Sequence, residues 1–128
     1  MVEKEIIATE KAPAAFGPWS QGVKAGGFIF TQGHMGMNPE TGNILGTSIE
    51  DETKQALENL KATLEAADAS LSDVVKTTVF LTDLNEYAKM NGIYSQYFTE
   101  GFPARSTVQV SALAKGAKVE IEAIALCK

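Results

Sequence analysis

Residues 49 to 81 constrain the fold more than any other part of the chain. Ile49, Thr53, Ala56, Leu57, Leu60, Leu64 and Ala67 recur at spacings of three and four, which places them on one face of a helix. The β-branched run "DVVKTTVFLTDL" follows and reads as a strand, buried on both faces for part of its length. A helix with a single apolar stripe beside such a strand has to lie on a sheet. Thr47 with Glu50 matches a capping box at the helix start, and Ser48 with Asp51 is a rival one position on. Glu50 and Lys54, and Lys61 and Glu65, stand four apart on the polar side.

The flanks extend this arrangement. "KEIIAT" is a short strand candidate, and the breaker-rich "APAAFGPWSQG" follows it. Gly26-Gly27 reads as a hairpin turn before "FIFTQG", and "NPETG" as a further reversal. Asp83 and Glu86 form a capping box for a second helix, whose packed stripe is Tyr87, Met90, Ile93, Tyr94, Tyr97 and Phe98. Gly101 and Pro103 stop it. Two last strands, near 105–113 and 117–126, flank "LAKGAK" and are expected to pair as a hairpin. The order β-β-α-β-α-β-β predicts an α+β fold in one domain, residues 1–128, with two helices on one face of a single sheet.

The other face of that sheet is then uncovered. In the last strand Val119, Ile121, Ala123 and Ala125 point toward the helices, and Lys118, Glu120, Glu122, Ile124 and Leu126 point away. Ile124 and Leu126, expected beside Val108 and Val110 on a neighbouring strand, predict self-association through this face.

Composition removes several function classes. A net charge of −5, with no run of Lys or Arg longer than one residue, gives no electrostatic footprint for nucleic acid or an anionic membrane. One cysteine, Cys127, and one histidine, His34, cannot build a disulfide or a thiolate or multi-histidine metal site. The charged start "MVEKEIIATEK" does not match a signal peptide, and no apolar stretch reaches membrane-spanning length. A cytoplasmic location is expected.

"FPARSTVQVSALAKGAKVEIEAIA", "APAAFGPWSQGV" and "VVKTTVFLTDLNEYAKMNGIYSQYF" together resemble the C-terminal signature, the N-terminal segment and the middle of the RidA (YjgF-type) family of enamine/imine deaminases. The resemblance covers nearly the whole chain. It implies a chorismate-mutase-like α+β subunit with a mixed sheet, assembled as a homotrimer whose sheets form a central barrel, with active sites in the clefts between chains. It also implies hydrolysis of 2-imino acids and their enamine tautomers to 2-keto acids and ammonia, without metal or organic cofactor.

Two residues carry the expected chemistry. A guanidinium binds a carboxylate through two parallel hydrogen bonds. Arg105 could instead pair with Glu120 or Glu122, but its place in the signature implies a grip on the substrate carboxylate. Imine hydrolysis needs water at carbon and a proton at the departing nitrogen, both within reach of a well-placed carboxylate. One of Glu120 and Glu122 could simply neutralise Lys118; the resemblance assigns the water to Glu120. If the last two strands form a hairpin turning between Lys115 and Gly116, Arg105 and Glu120 share a face about 20 Å apart in one chain. A common site would then need two subunits.

The resemblance places four further residues at the pocket. Trp19 stands where relatives often carry Tyr, losing the phenolic hydroxyl, and packing alone would also explain it. Gly33 matches a glycine whose main chain approaches the ligand. Asn91 matches a pocket Asn, against the alternative of a helix-surface residue. Thr107 replaces a common Cys, which argues against covalent catalysis; it could donate to the bound acid or serve only as a strand residue. Gln32 sits where Ser is common, and His34 falls outside the pattern as a solvated or interface residue. The function that follows is imine deamination. A non-catalytic trimer that binds a keto acid and reports it to a partner would need the same Arg105. Ribonuclease activity, attributed to some relatives, fits the acidic charge poorly.

Overall fold

The computed structural model describes residues 3–46 and 48–128; Thr47, and with it the Thr47–Glu50 capping box, lies outside them. Four strands precede the first helix where two were expected: β1 (Glu5–Ile7), β2 (Gly22–Ala25), β3 (Phe28–Thr31) and the short β4 (His34–Met35). Then follow α1 (Ile49–Ala66), β5 (Val74–Leu81), α2 (Tyr87–Tyr97), β6 (Ala104–Gln109) and β7 (Val119–Leu126). The sheet order is β1-β2-β3-β7-β5-β6, and β4 also pairs with β7. The sheet is mixed: β5 and β6 run parallel, and the other strand pairs among the described residues are antiparallel. α2 supplies the crossover that parallel neighbours require.

The predicted elements fall largely in place. Gly26 and Gly27 both take positive φ, 59° and 84°, closing the β2–β3 hairpin at Ala25–Phe28. Ser48 caps α1, its side chain accepting from the Asp51 N–H. Every residue of the predicted α1 stripe is buried, and Leu57, Leu60 and Leu64 are wholly so. Each of those leucines contributes on the order of 2 kcal/mol by leaving water. They pack on Ile29, Val79, Leu81, Val119 and Ile121 from the sheet.

The expected hairpin of the last two strands does not form. β6 is an edge strand beside β5, and β7 lies on the other side of β5. Val110 N–H donates to the Leu81 carbonyl and Thr82 N–H to that of Lys118, so residues 110–118 carry the chain across the end of β5. A turn at Ala114–Gly116, with Lys115 at φ 60°, makes the step. The physical reason is composition: ARSTVQ is polar enough for an edge, whereas VEIEAIAL alternates buried and half-buried residues and takes a central place.

A polar seam fixes β4 to α1. Asn59 Nδ2 donates to the carbonyls of Met35 (3.0 Å) and Met37 (2.8 Å), and Thr63 Oγ1 lies 3.0 Å from His34 Nε2. Glu52 Oε1 accepts from Lys118 N–H at 2.8 Å. His34 is therefore a buried residue at 1% exposure, which corrects the expectation of a solvated or interface histidine. Burial lowers its pKa to about 4, so the ring is neutral.

On the face away from the helices, Phe28 pairs with Leu126 and Phe30 with Ile124. The neighbours of Ile124 and Leu126 are thus phenylalanines of β3, not Val108 and Val110, which β5 separates from β7. Ile6, Phe28, Phe30, Val108 and Leu126 are each exposed.

Candidate active site in two halves

The predicted site residues divide between two faces of the sheet. Arg105 pairs in register with Thr77, and Thr77 with Ala123; Glu120 pairs with Phe80, and Phe80 with Val108. Thr77, Ala123 and Ile121 are buried under the helices, so Arg105 stands on the helix side and Glu120 on the open side. The two were expected to share a face; they do not. Their Cα atoms are three residues apart along the strands and two strands apart across them, about 14 Å by strand geometry, not 20 Å. Among the described residues no carboxylate forms an ion pair with Arg105.

The open-face half is a cavity of about 530 Å³ whose lining includes Trp19, Phe30, Gln32, Gly33, Met35 and Glu120, within the usual range for small-ligand sites. β7 delivers Glu120 at the point where β4 pairs beside it, Met35 opposite Glu120. The carboxylate lies directly over Gly33, where a Cβ would overlap it. Burial, and then the charge of Glu122, raise the Glu120 pKa above its ordinary value.

Trp19 does keep a hydrogen bond. Its indole Nε1 donates to Gln32 Oε1 at 2.8 Å, and Phe16 meets its ring edge-on at 4.8 Å. Trp19 and Gln32, the two departures noted at this wall, thus satisfy each other. Gln32 Nε2 in turn donates to the Pro13 carbonyl at 3.4 Å, tying the N-terminal segment to the cavity.

The helix-side half is a groove lined by Asn91, Tyr94, Ser95, Phe98, Pro103 and Arg105, among others. Residues 87, 91 and 94 share one face of α2 by helical spacing. The guanidinium carbon lies 5.4 Å from the Tyr87 ring centroid and 4.7 Å from that of Tyr94. Arg105 Nη2 donates to Tyr87 Oη at 2.7 Å, and Tyr94 Oη meets Thr77 Oγ1 at 2.8 Å. Asn91 Oδ1 is buried without a partner among the described residues. Thr107, two residues on from Arg105 along β6, is half-buried opposite Val79.

Tyr87 was expected to pack within the α2 stripe. Met90, Tyr94 and Phe98 do so, but Tyr87 is 39% exposed and faces Arg105. Sequence reasoning missed it and Tyr94 as site residues, although their spacing from Asn91 would have put all three together. Tyr87 has its pKa lowered, first by the Asn91 side chain and then by the Arg105 charge and hydrogen bond.

Residues 9–127 match the protein family described as endoribonuclease L-PSP. A RutC family protein of Pyrococcus abyssi is 56% identical over 95% of this chain and 96% of its own length. The 2-iminobutanoate/2-iminopropanoate deaminase of Escherichia coli K12 is 50% identical, covering 95% of this chain and 97% of its own. The crystal structure of E. coli TdcF with bound serine superposes at a TM-score of 0.92, with 45% identity over 97% of this chain and 99% of that one.

Proposed function

Because the chain belongs to the RidA family, matched over residues 9–127 under the description endoribonuclease L-PSP, we propose that it hydrolyses 2-imino acids and their enamine tautomers to 2-keto acids and ammonia. The observation that carries the reading is the division of the site. Arg105 and Asn91 lie on one face of the sheet, and Glu120, Gly33 and Trp19 in a cavity on the other. Neither half alone can both hold a small acid and attack it. An assembly that seats one protomer's β6 edge against the next protomer's open face completes the site. A homotrimer with the open faces turned inward to a central barrel does this, and it covers Phe28, Phe30 and Leu126.

In the completed cleft the substrate carboxylate lies on Arg105 and the C=N carbon faces the neighbouring Glu120. Thr107 stands beside the carboxylate, and Trp19 walls the side-chain end. The imine reacts as its protonated, iminium form. Glu120 takes a proton from water as the water oxygen bonds to carbon, giving a neutral carbinolamine, and then gives that proton to the nitrogen. The C–N bond breaks as the O–H electrons form C=O, and the hydroxyl proton passes to Glu120 and on to solvent, releasing keto acid and ammonia. An imine is already an electrophile, so this sequence calls for no cofactor. The raised Glu120 pKa keeps the carboxyl ready to hold the proton between the two steps.

The test is to generate imino acid in situ with an amino-acid oxidase or a threonine dehydratase and to follow keto-acid release. Wild-type protein should accelerate release; Arg105→Ala and Glu120→Ala should abolish most of the acceleration, and Glu120→Ala should still bind keto acid. Since Glu120 must begin ionised, kcat/KM should fall as pH drops through a pKa above the ordinary 4.5. No acceleration by the wild type across several side chains refutes the reading. Equal turnover by Glu120→Ala removes that residue from the mechanism.

A further inference from the structure

We propose that Tyr87 is a second donor to the substrate carboxylate, its hydroxyl proton acting alongside the N–H groups of Arg105. This rests on the reading of Arg105 as the carboxylate anchor and adds a residue to it. The argument begins from valence. A phenolic oxygen carries one proton and accepts through its lone pairs. Tyr87 Oη accepts from Arg105 Nη2 at 2.7 Å. With the oxygen engaged as an acceptor, the O–H is left to donate.

No acceptor among the described residues takes that proton. Tyr94 Oη is engaged with Thr77, and Asn91 Oδ1 is buried without a partner, so it does not take the Tyr87 proton. Tyr87 is exposed beside the groove that Arg105 lines. Arg105 spends one N–H on Tyr87 and has four left, in a plane steadied by the rings of Tyr87 and Tyr94. At the edge of the groove the two side chains thus offer a guanidinium fork and one O–H beside it. Such a surface suits a planar anion with two oxygens, hence a carboxylate rather than an amide or ester. The bond received from the cationic Arg105 also polarises the phenol and strengthens it as a donor.

The experiment measures binding of 2-oxobutanoate and of its neutral amide by calorimetry, with imino-acid kinetics in parallel. The proteins are wild type, Tyr87→Phe and Arg105→Ala. A hydrogen bond to a charged group leads us to expect that Tyr87→Phe weakens 2-oxobutanoate binding about tenfold or more and raises KM comparably. The variant should leave kcat within about twofold and the amide's affinity unchanged. If Tyr87→Phe binds 2-oxobutanoate like wild type while Arg105→Ala does not, the role of Tyr87 is overturned and the anchor stands. If Arg105→Ala also binds like wild type, the anchor falls, and this inference with it. A loss of kcat at unchanged KM in Tyr87→Phe likewise overturns a carboxylate contact.

Discussion

At the scale of single residues, the closest constraint is between Gly33 and Glu120. Gly33 is not among the glycines held at positive φ, so its role is space rather than backbone freedom: a methyl group there would occupy the place of the Glu120 carboxylate. The neighbouring backbone is held by β4, so the carboxylate must yield. Gly33→Ala is expected to leave circular dichroism unchanged while reducing imine turnover by roughly 100-fold, the scale of loss for a catalytic group displaced by about an ångström. Turnover within a few-fold of wild type would show that the carboxylate's position at Gly33 does not matter to the reaction. The Trp19–Gln32 bond makes a related point. Each residue looks anomalous when read singly, and the structure shows them as one hydrogen-bonded unit.

At the scale of elements, α1 and the β2–β3 hairpin were legible because local periodicity and turn chemistry decide them: the buried stripe from Ile49 to Ala67 and the positive φ at Gly26 and Gly27 follow from spacing alone. The partner of β7 was not legible, because strand pairing is a long-range choice. Val119 and Ile121 announce a buried strand without saying which strand lies beside it, and proximity in sequence favoured β6. The faces that Arg105 and Glu120 occupy depend on that pairing and were misread. The β4–α1 seam was also hidden, since His34 and Asn59 read as polar residues until packing encloses them. That seam has a measurable consequence. Folded His34 has a pKa of about 4, against an ordinary 6.5. Above 6.5 both folded and unfolded states hold a neutral ring, and His34 contributes no pH dependence. Between 6.5 and 4 the unfolded chain takes up a proton that the folded protein refuses, so stability falls as pH falls. The loss from this residue reaches about 3 kcal/mol by pH 4. Urea midpoints at pH 7 and pH 4.5 should show this loss, and His34→Gln should reduce it. An identical acid loss in both proteins would exclude His34 as its source.

At the scale of the whole molecule, the open face presents two facts together. Phe28, Phe30 and Leu126 expose apolar surface, and the cavity holding Glu120 opens on the same side. In the proposed ring of identical subunits, covering the first and completing the second would be one act of assembly. Each contact would be head-to-tail, and every cleft would join Arg105 of one protomer to Glu120 of the next. Mixing defects tests this directly. Arg105→Ala and Glu120→Ala chains, each nearly inactive alone, should regain activity when coexpressed with different tags and purified as mixed assemblies. An intact cleft needs its arginine from the Glu120→Ala chain and its glutamate from the Arg105→Ala chain. A mixed trimer, whether it holds two of one chain or two of the other, has one cleft in three that meets that requirement, and turnover should recover to about a third of wild type. A site contained within one chain would show no recovery at any mixing ratio, because every chain present would lack one of the two groups.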